Sequence, residues 1–343
     1  MNSPFKPSKP RPAAILSGFS KLKLAAIFLG IAAGTFAIEN AKAQPYPTRP
    51  IKIISPFGAG GAPDTLIRLV VKQLAARLGQ SVTIENRPGG GTTIATKAAA
   101  TADPDGYTLL QVNAAFSYTT LIHPDLGYDP IKSFSPVATL ATWSHLLVVP
   151  ANLPAATIQE LIAYAKANPR QVNIGFALGG PPQVLAEIFK AASGAQFNSV
   201  PYRQPPQLVG DLLAGRIHIF FGAGAGLVSL IQEGKLKALA YTGVTRYAAL
   251  QRVPTVIESG LPQLALNPSD WTGIVAPAGT PPDVIEKLNK AINESLASPE
   301  VQANIAQQGM DVKITSPQEF IAFLAAEAKK WSPLVAMAGL KPE

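Results

Sequence analysis

The spacing of apolar and polar positions divides the chain into repeating units, and the first sets the pattern. Within Ile51 to Gly79, IKIISPFGAGGAPDTLIRLVVKQLAARLG, an apolar run at Ile51, Ile53 and Ile54 reads as a buried strand. Apolar residues then recur at Ile67, Val70, Val71, Leu74 and Leu78, the i, i+3, i+4, i+7 stripe of an amphipathic helix. Pro63 and Asp64 suit its first turn; Gly79 is placed to end it, with Arg77 near the negative end of the helix dipole. Between strand and helix lies Phe57-Gly58-Ala59-Gly60-Gly61, with no bulky side chain after Phe57. Glycine admits positive φ and lets a ligand approach the backbone. A helix start of this kind offers unpaired N–H groups and partial positive charge to a carboxylate or phosphate. The same glycines would also serve a bare βα connection. No Lys-Ser/Thr follows them and the spacing is not G-x-G-x-x-G, so neither a P-loop nor a dinucleotide fingerprint is present.

The rhythm repeats. Ser81–Glu85 reads as a strand, Asn86-Arg87-Pro88-Gly89-Gly90-Gly91 as a turn, the Ala-rich stretch to Thr101 as a helix and Tyr107–Val112 as a third strand. Val137–Pro150 is a longer strand-like passage. Beyond it, strands are expected at 172–176, 199–202, 217–221 and 237–242, with helices at 184–192, 208–213 and 227–233. Thr157-Ile158-Gln159-Glu160 is a capping box opening another helix. Trp271–Ala276 is a strand, followed by helices starting at Thr280-Pro281, Ser298-Pro299 and the capping box Ser316-Pro317-Gln318-Glu319. Alternating strands and helices predict an α/β chain with mainly parallel sheets. The last helices have no sheet of their own, so the expected layout is a first lobe from residues 44–145 and 268–343 with a second, 146–267, inserted. Ligands of open α/β sheets bind beyond the carboxyl ends of the strands, where the glycine turns of two such lobes would meet across a cleft.

Composition narrows the function. The 343 residues are 47% hydrophobic and 15% charged, a globular balance. The net charge of +8 would suggest nucleic acid, but residues 1–43 carry +5 of it and no basic stripe remains. That segment has the parts of a secretory signal: a basic region ending at Lys23, an apolar stretch of 15 residues from Leu24 to Ile38, and the A-x-A site Ala41-Lys42-Ala43. The mature start is placed at Gln44, and a soluble, exported, monomeric protein is expected, with no cofactor. Cysteine is absent, which removes disulfide and thiolate chemistry. His123, His145 and His218 stand in no motif, neither H-E-x-x-H nor Gly-x-Ser-x-Gly occurs, and no metal or catalytic site is expected.

The segments YPTRPIKIISPFGAGGAPD, ENRPGGGT, DPDGYTLL, YDPIKSFSPVA, VPY, LLAGRIHIFF, GKLKALAYTG, VPTVIESGLP and GIVAPAGTP, in this order from Tyr46 to Pro281, resemble the Bug (Bordetella uptake gene), or TctC-like, family. These are extracytoplasmic solute-binding proteins of tripartite tricarboxylate transporters. The resemblance implies a two-lobed periplasmic-binding-protein fold, a small carboxylate ligand at the lobe interface, hinge closure and transient membrane transporter partners. An orphan periplasmic sensor and an exported enzyme are the alternative readings. Carried over by motif, the anion loop is Phe57, Gly58, Ala59, Gly60 and Gly61 with Asp64; the expected set includes Asn113 and Ala114, which follow the third strand. The second lobe contributes Ala177, Gly179, Gly180, Gln183, Tyr202, Arg203, Phe221 and Gly222. Three departures stand out. Pro181-Pro182 replaces the usual small hydroxyl residues and removes donors, Arg203-Gln204 replaces Lys-Gly, and Gly222 replaces an Asp or Asn. The aromatics Phe57, Phe116, Phe176, Tyr202 and Phe221 are then candidates to line the cleft around an apolar ligand body, with lobe core as their other reading.

Overall fold

The computed structural model describes residues 46–123, 125–178 and 180–340. The signal-like segment, its cleavage site and Gly179 of the expected ligand set lie outside them. The elements run β1 (Ile51–Ser55), α1 (Ala62–Leu78), β2 (Val82–Asn86), α2 (Thr93–Ala100), β3 (Thr108–Asn113), α3 (Thr119–Ile122), β4 (Phe134–Trp143), β5 (Leu146–Pro150), α4 (Ile158–Ala167), β6 (Asn173–Ala177), α5 (Pro181–Ser193), β7 (Asn198–Tyr202), α6 (Pro205–Leu213), β8 (Ile219–Gly222), α7 (Ala225–Gln232), β9 (Leu236–Tyr241), β10 (Asp270–Pro277), α8 (Pro282–Leu296), α9 (Pro299–Gln307), β11 (Asp311–Val312) and α10 (Pro317–Met337).

The strands form two mixed sheets, ordered β11-β4-β10-β3-β1-β2 and β7-β6-β8-β5-β9. The βα repeats pair in parallel: β1 with β2 and β3, β6 with β7 and β8. Antiparallel pairing enters with the crossing strands. β4 leaves the first sheet, β10 returns to it, and the two pair along their length from Trp143↔Asp270 to Phe134↔Pro277. β5 is antiparallel to β8 and β9. The passage Val137–Pro150, read from sequence as one strand, is thus two strands in different sheets, interrupted at Ser144-His145. Every residue from Trp143 to Pro150 is buried, so the apolar run continues through the break and conceals it.

Helix ends follow local chemistry. Gly79 closes α1 at φ 65°. Ser316 and Glu319 make a full capping box at α10. At α4, Thr157 accepts from the Glu160 N–H, but Glu160 reaches back to the Ala156 N–H at 2.7 Å, so the box there is shifted by one residue. Ser298 heads α9 without a side-chain capping bond. α8 packs on β4 and α1, and α10 packs on β4, so the last helices return to the first sheet. Trp271 and Trp331, both fully buried, fill the space between β10 and α10. Each buries 150–250 Å² in general, so they are among the largest single contributions to the core.

Candidate ligand-binding site

The turn after β1 is held from beneath by one carboxylate. Asp64 is 2% exposed and accepts from four donors. Its Oδ2 takes the Gly60 N–H at 3.0 Å and Arg68 Nε at 2.9 Å; its Oδ1 takes Arg68 Nη2 at 3.0 Å and Asn86 Nδ2 at 2.8 Å. Asn86 Nδ2 also donates to the Phe57 carbonyl at 2.9 Å. Burial opposes the charge, but the hydrogen bonds from Arg68, Gly60 and Asn86 outweigh it and hold Asp64 below the usual carboxylate range. Its acceptor sites are thus spent on the loop, and its role is positioning. The loop's own donors are spared. The N–H groups of Gly58, Ala59, Gly61 and Ala62 have no acceptor among the described residues, and α1 has no side-chain cap.

The second lobe meets this loop directly. A Cβ built on Gly58 would stand 3.7 Å from Gln204 Cγ and 3.8 Å from the Arg203 carbonyl oxygen. One on Gly61 would lie 3.7 Å from Pro205 Cγ, and one on Gly224 would lie 3.9 Å from Ala62 Cβ. The starts of α1, α6 and α7 therefore converge. They differ in what they offer. α7 follows Gly224 at φ 103°, and the N–H of Gly226 has no acceptor among the described residues. α6 begins Pro205-Pro206 and α5 begins Pro181-Pro182, so neither helix has an N–H at its first two positions. The Gln183 N–H donates to the Gly180 carbonyl at 3.2 Å. Arg203 is exposed, and its guanidinium has no ion pair or hydrogen bond among the described residues.

Asn113 and Ala114 are buried beside the crossing strands. Asn113 Oδ1 accepts from the Ala115 N–H at 3.2 Å, and its Nδ2 would lie 3.6 Å from a Cβ on Gly180, which brings the third β-strand's end to the start of α5. The Ala114 N–H approaches Asp270 Oδ1 at 3.5 Å. Burial pushes Asp270 up to about 8, with the charge of Glu327 adding to it, and burial pushes His145 down to about 3. Both are neutral at pH 7, so their 4.0 Å approach is not an ion pair. His145 is fixed by Ser269 Oγ at 2.7 Å from its Nδ1, and His218 Nδ1 accepts from the Asn173 N–H at 3.0 Å. Neither ring has the exposed, partnered geometry of a general base.

The aromatic candidates divide differently from a cleft lining. Phe221 is fully buried, edge-on to Phe189, and Phe176 is buried in the same cluster. Phe116 packs on Phe134. Tyr202 is buried against Leu208, and its hydroxyl donates to Asp211 at 2.6 Å. These four side chains are core, because strand-end aromatics on the inner face of a sheet are claimed by the helices packed there. Phe57 alone of the five is half-buried. Ala177 is half-buried at the end of β6. Gly222 is a packing glycine: a Cβ there would fall 2.3 Å from Phe220 and 2.4 Å from Leu227. Sequence reading missed the bracing by Arg68 and Asn86, the proline pair heading α6 and the start of α7. For Asn86 the signal was its place in the Asn-Arg-Pro-Gly turn after β2, read there only as a connection.

Residues 66–340 match the family described as the tripartite tricarboxylate transporter family receptor. The chain belongs to this family of receptors. It is 34% identical over 321 residues to Protein BugT of Bordetella pertussis, covering 93% of this chain and 98% of BugT. Among solved structures, the periplasmic binding protein BugD superposes with a TM-score of 0.82 at 30% identity, covering 87% of this chain and 100% of that one. An R. palustris protein solved with adipate superposes with a TM-score of 0.81 at 31% identity, with 87% and 100% covered. For the receptor family, the two-lobed fold accounts for the position of the converging helix starts: they are the interlobe face.

Proposed function

We propose that this receptor captures a small carboxylate between its lobes in the periplasm and delivers it to a tripartite tricarboxylate-type membrane transporter. The observation that carries the reading is the meeting of two uncapped helix starts, at Ala62 and Gly224, with unpaired N–H groups on both sides of the seam. A desolvated carboxylate needs several such donors, and a helix start supplies them together with a favourable dipole. The adipate held by the R. palustris relative supports the ligand class. The lobes are residues 44–145 with 268–343, and 146–267. They close about the crossings near Ser144 and Ser269, and the ligand completes the seam between Phe57–Gly61, Arg203 and α7. The protein is a receptor rather than a catalyst, in line with its relatives and with two histidines held neutral by burial.

Titration calorimetry with a panel of small carboxylates, on the parent and on Gly60→Pro, tests this. Gly60 sits at φ 83° and donates its N–H to Asp64. Proline fixes φ near about −65° and has no N–H, so the variant loses the loop. The parent is expected to bind at least one acid with one-to-one stoichiometry and Gly60→Pro to bind none. Equal binding by both would overturn the placement of the carboxylate.

A further inference from the structure

We propose that the hinge is proton-coupled: the lobes close with Asp270 protonated beside a neutral His145, and loss of that proton opens the cleft. This rests on the hinge placed at the two crossings above and not on the nature of the cargo.

His145 and Asp270 are buried, one on each crossing, and they are anchored to different lobes. His145 leads into β5, and its N–H donates to Thr242 Oγ1 at 2.8 Å, just beyond the end of β9. Asp270 pairs with Trp143 in the first sheet. Its Oδ1 accepts from the Trp271 N–H at 2.8 Å and faces the Ala114 N–H at 3.5 Å. Ser269 Oγ fixes the imidazole, lying 2.7 Å from Nδ1 and 3.1 Å from Thr242 Oγ1. What remains between the two anchors is His145 Nε2 and Asp270 Oδ2, 4.0 Å apart and too far for a hydrogen bond. Neither atom has a hydrogen-bond partner among the described residues. Rotation at the crossings acts on this gap directly. It lies toward the seam: Ala114 follows Asn113, whose Nδ2 would stand 3.6 Å from a Cβ on Gly180 of the second lobe. Opening the seam admits water to the pair, and closing removes it.

The other ionisable groups near Asp270 belong to the first lobe and keep their places when the lobes rotate. Tyr118 has a buried hydroxyl without a partner, held neutral because burial pushes it well above its ordinary value. Glu327 and Lys330 of α10 pair with each other at 2.6 Å, and Lys313 acts on that pair. The proton balance of closing is therefore set by His145 and Asp270. Closed, burial keeps the proton on Asp270 up to about 8 and keeps His145 neutral down to about 3. Open to water, each returns toward its ordinary range, about 3.9 and about 6.5. Between about pH 6.5 and 8 closing takes up one proton, so the closed-to-open ratio falls about tenfold per pH unit. Below about pH 6.5 the open form protonates His145 as well; closing then exchanges one proton for another, and the ratio levels off.

Distances between two spin labels, followed by pulsed electron resonance over about pH 5 to 9 on protein freed of bound small molecules, test this. The chain has no cysteine, so Ala76→Cys and Ala214→Cys give unique, exposed sites. They lie at the far ends of α1 and α6, whose starts meet at the seam. Two distance populations are expected, the shorter one level up to about pH 6.5 and falling about tenfold per unit above it. Asp270→Asn cannot ionise and is expected to hold the shorter population throughout. His145→Gln cannot take the exchanging proton, so the fall is expected to begin about one to two units lower. Two populations whose ratio ignores pH overturn the coupling and leave the hinge standing. A fall that persists in Asp270→Asn gives the proton to another group and overturns the inference, as does a His145→Gln profile identical to the parent's. A single population at every pH contradicts the hinge and the inference with it.

Discussion

Four donors converge on the Asp64 carboxylate, and they come from three residues whose positions the loop depends on: Gly60, Asn86 and Arg68. Replacing Asp64 by Asn leaves a buried amide facing donors it cannot fully satisfy. The expected loss of stability is about 1–3 kcal/mol, with the Arg68 share discounted because that side chain is 51% exposed. Because the folded-state pKa of Asp64 lies below its ordinary value, its contribution is complete at neutral pH and disappears as pH falls through the folded value. Urea unfolding of Asp64→Asn should therefore show a deficit at pH 7 that shrinks on acidification below the ordinary aspartate range. A deficit independent of pH would contradict the charged brace. The loop was legible in the sequence through its glycines, and Pro63-Asp64 marked the helix start. The direction of Asp64 was not, because a first-turn acid can cap inward or face a ligand, and only the partners decide. The aromatics stayed open between cleft and core for a related reason: a ring at a strand end points either to the cleft or under a helix, and period-two alternation does not say which face is which. Gly222 looked like a missing ligand side chain and is a contact point, so Gly222→Asp is expected to destabilise by about 1–3 kcal/mol through overpacking alone, read as a lowered urea midpoint.

At the scale of elements, the crossing between sheets is where sequence patterning gave least. β4 and β5 form one buried apolar run, and Ser144-His145 carries no turn chemistry to divide it. The division is made instead by hydrogen bonds between the two crossings: the His145 N–H to Thr242 Oγ1 at 2.8 Å, Ser144 Oγ to the Leu266 carbonyl at 3.2 Å, and the Ser269 N–H to the Trp143 carbonyl at 3.1 Å. α10 braces the return crossing. Lys330 Nζ donates to the Pro268 carbonyl at 2.8 Å and pairs with Glu327 at 2.6 Å, while Glu327 accepts from the indoles of Trp271 and Trp331 at 2.9 Å each. Lys330→Met strips the buried Glu327 of its cation and should cost about 1–3 kcal/mol of stability; an unchanged unfolding midpoint would contradict the brace. Asp270 acts with the opposite sign to Asp64. It keeps its proton up to about pH 8 in the fold, whereas the unfolded chain releases it near about 3.9. Between these values the unfolded state binds fewer protons, so stability falls as pH rises. Asp270→Asn removes that slope, and its unfolding free energy should decline less than the parent's between about pH 5 and 8. Parallel curves would contradict a protonated Asp270.

For the whole molecule, the order of elements carried most of the architecture. Twice the βα rhythm ran and restarted, and three helices were left without strands to cover. The return of those helices to the first sheet followed from that count, and the structure places α8 and α10 on β4. What the order did not reveal was how far the crossing strands make both sheets mixed, since antiparallel pairing of β4 with β10 depends on residues more than a hundred positions apart. The functional account rests on the seam these crossings allow. It predicts that a carboxylate is the physiological cargo and that it is held by the Phe57–Gly61 loop. Untargeted mass spectrometry of small molecules released from protein purified from the periplasm tests this most directly, with Gly60→Pro purified in parallel. The expected result is a single organic acid in near-stoichiometric amount from the parent and its absence from the variant. A neutral or cationic compound in that amount, or the same acid released equally from both proteins, would contradict the account.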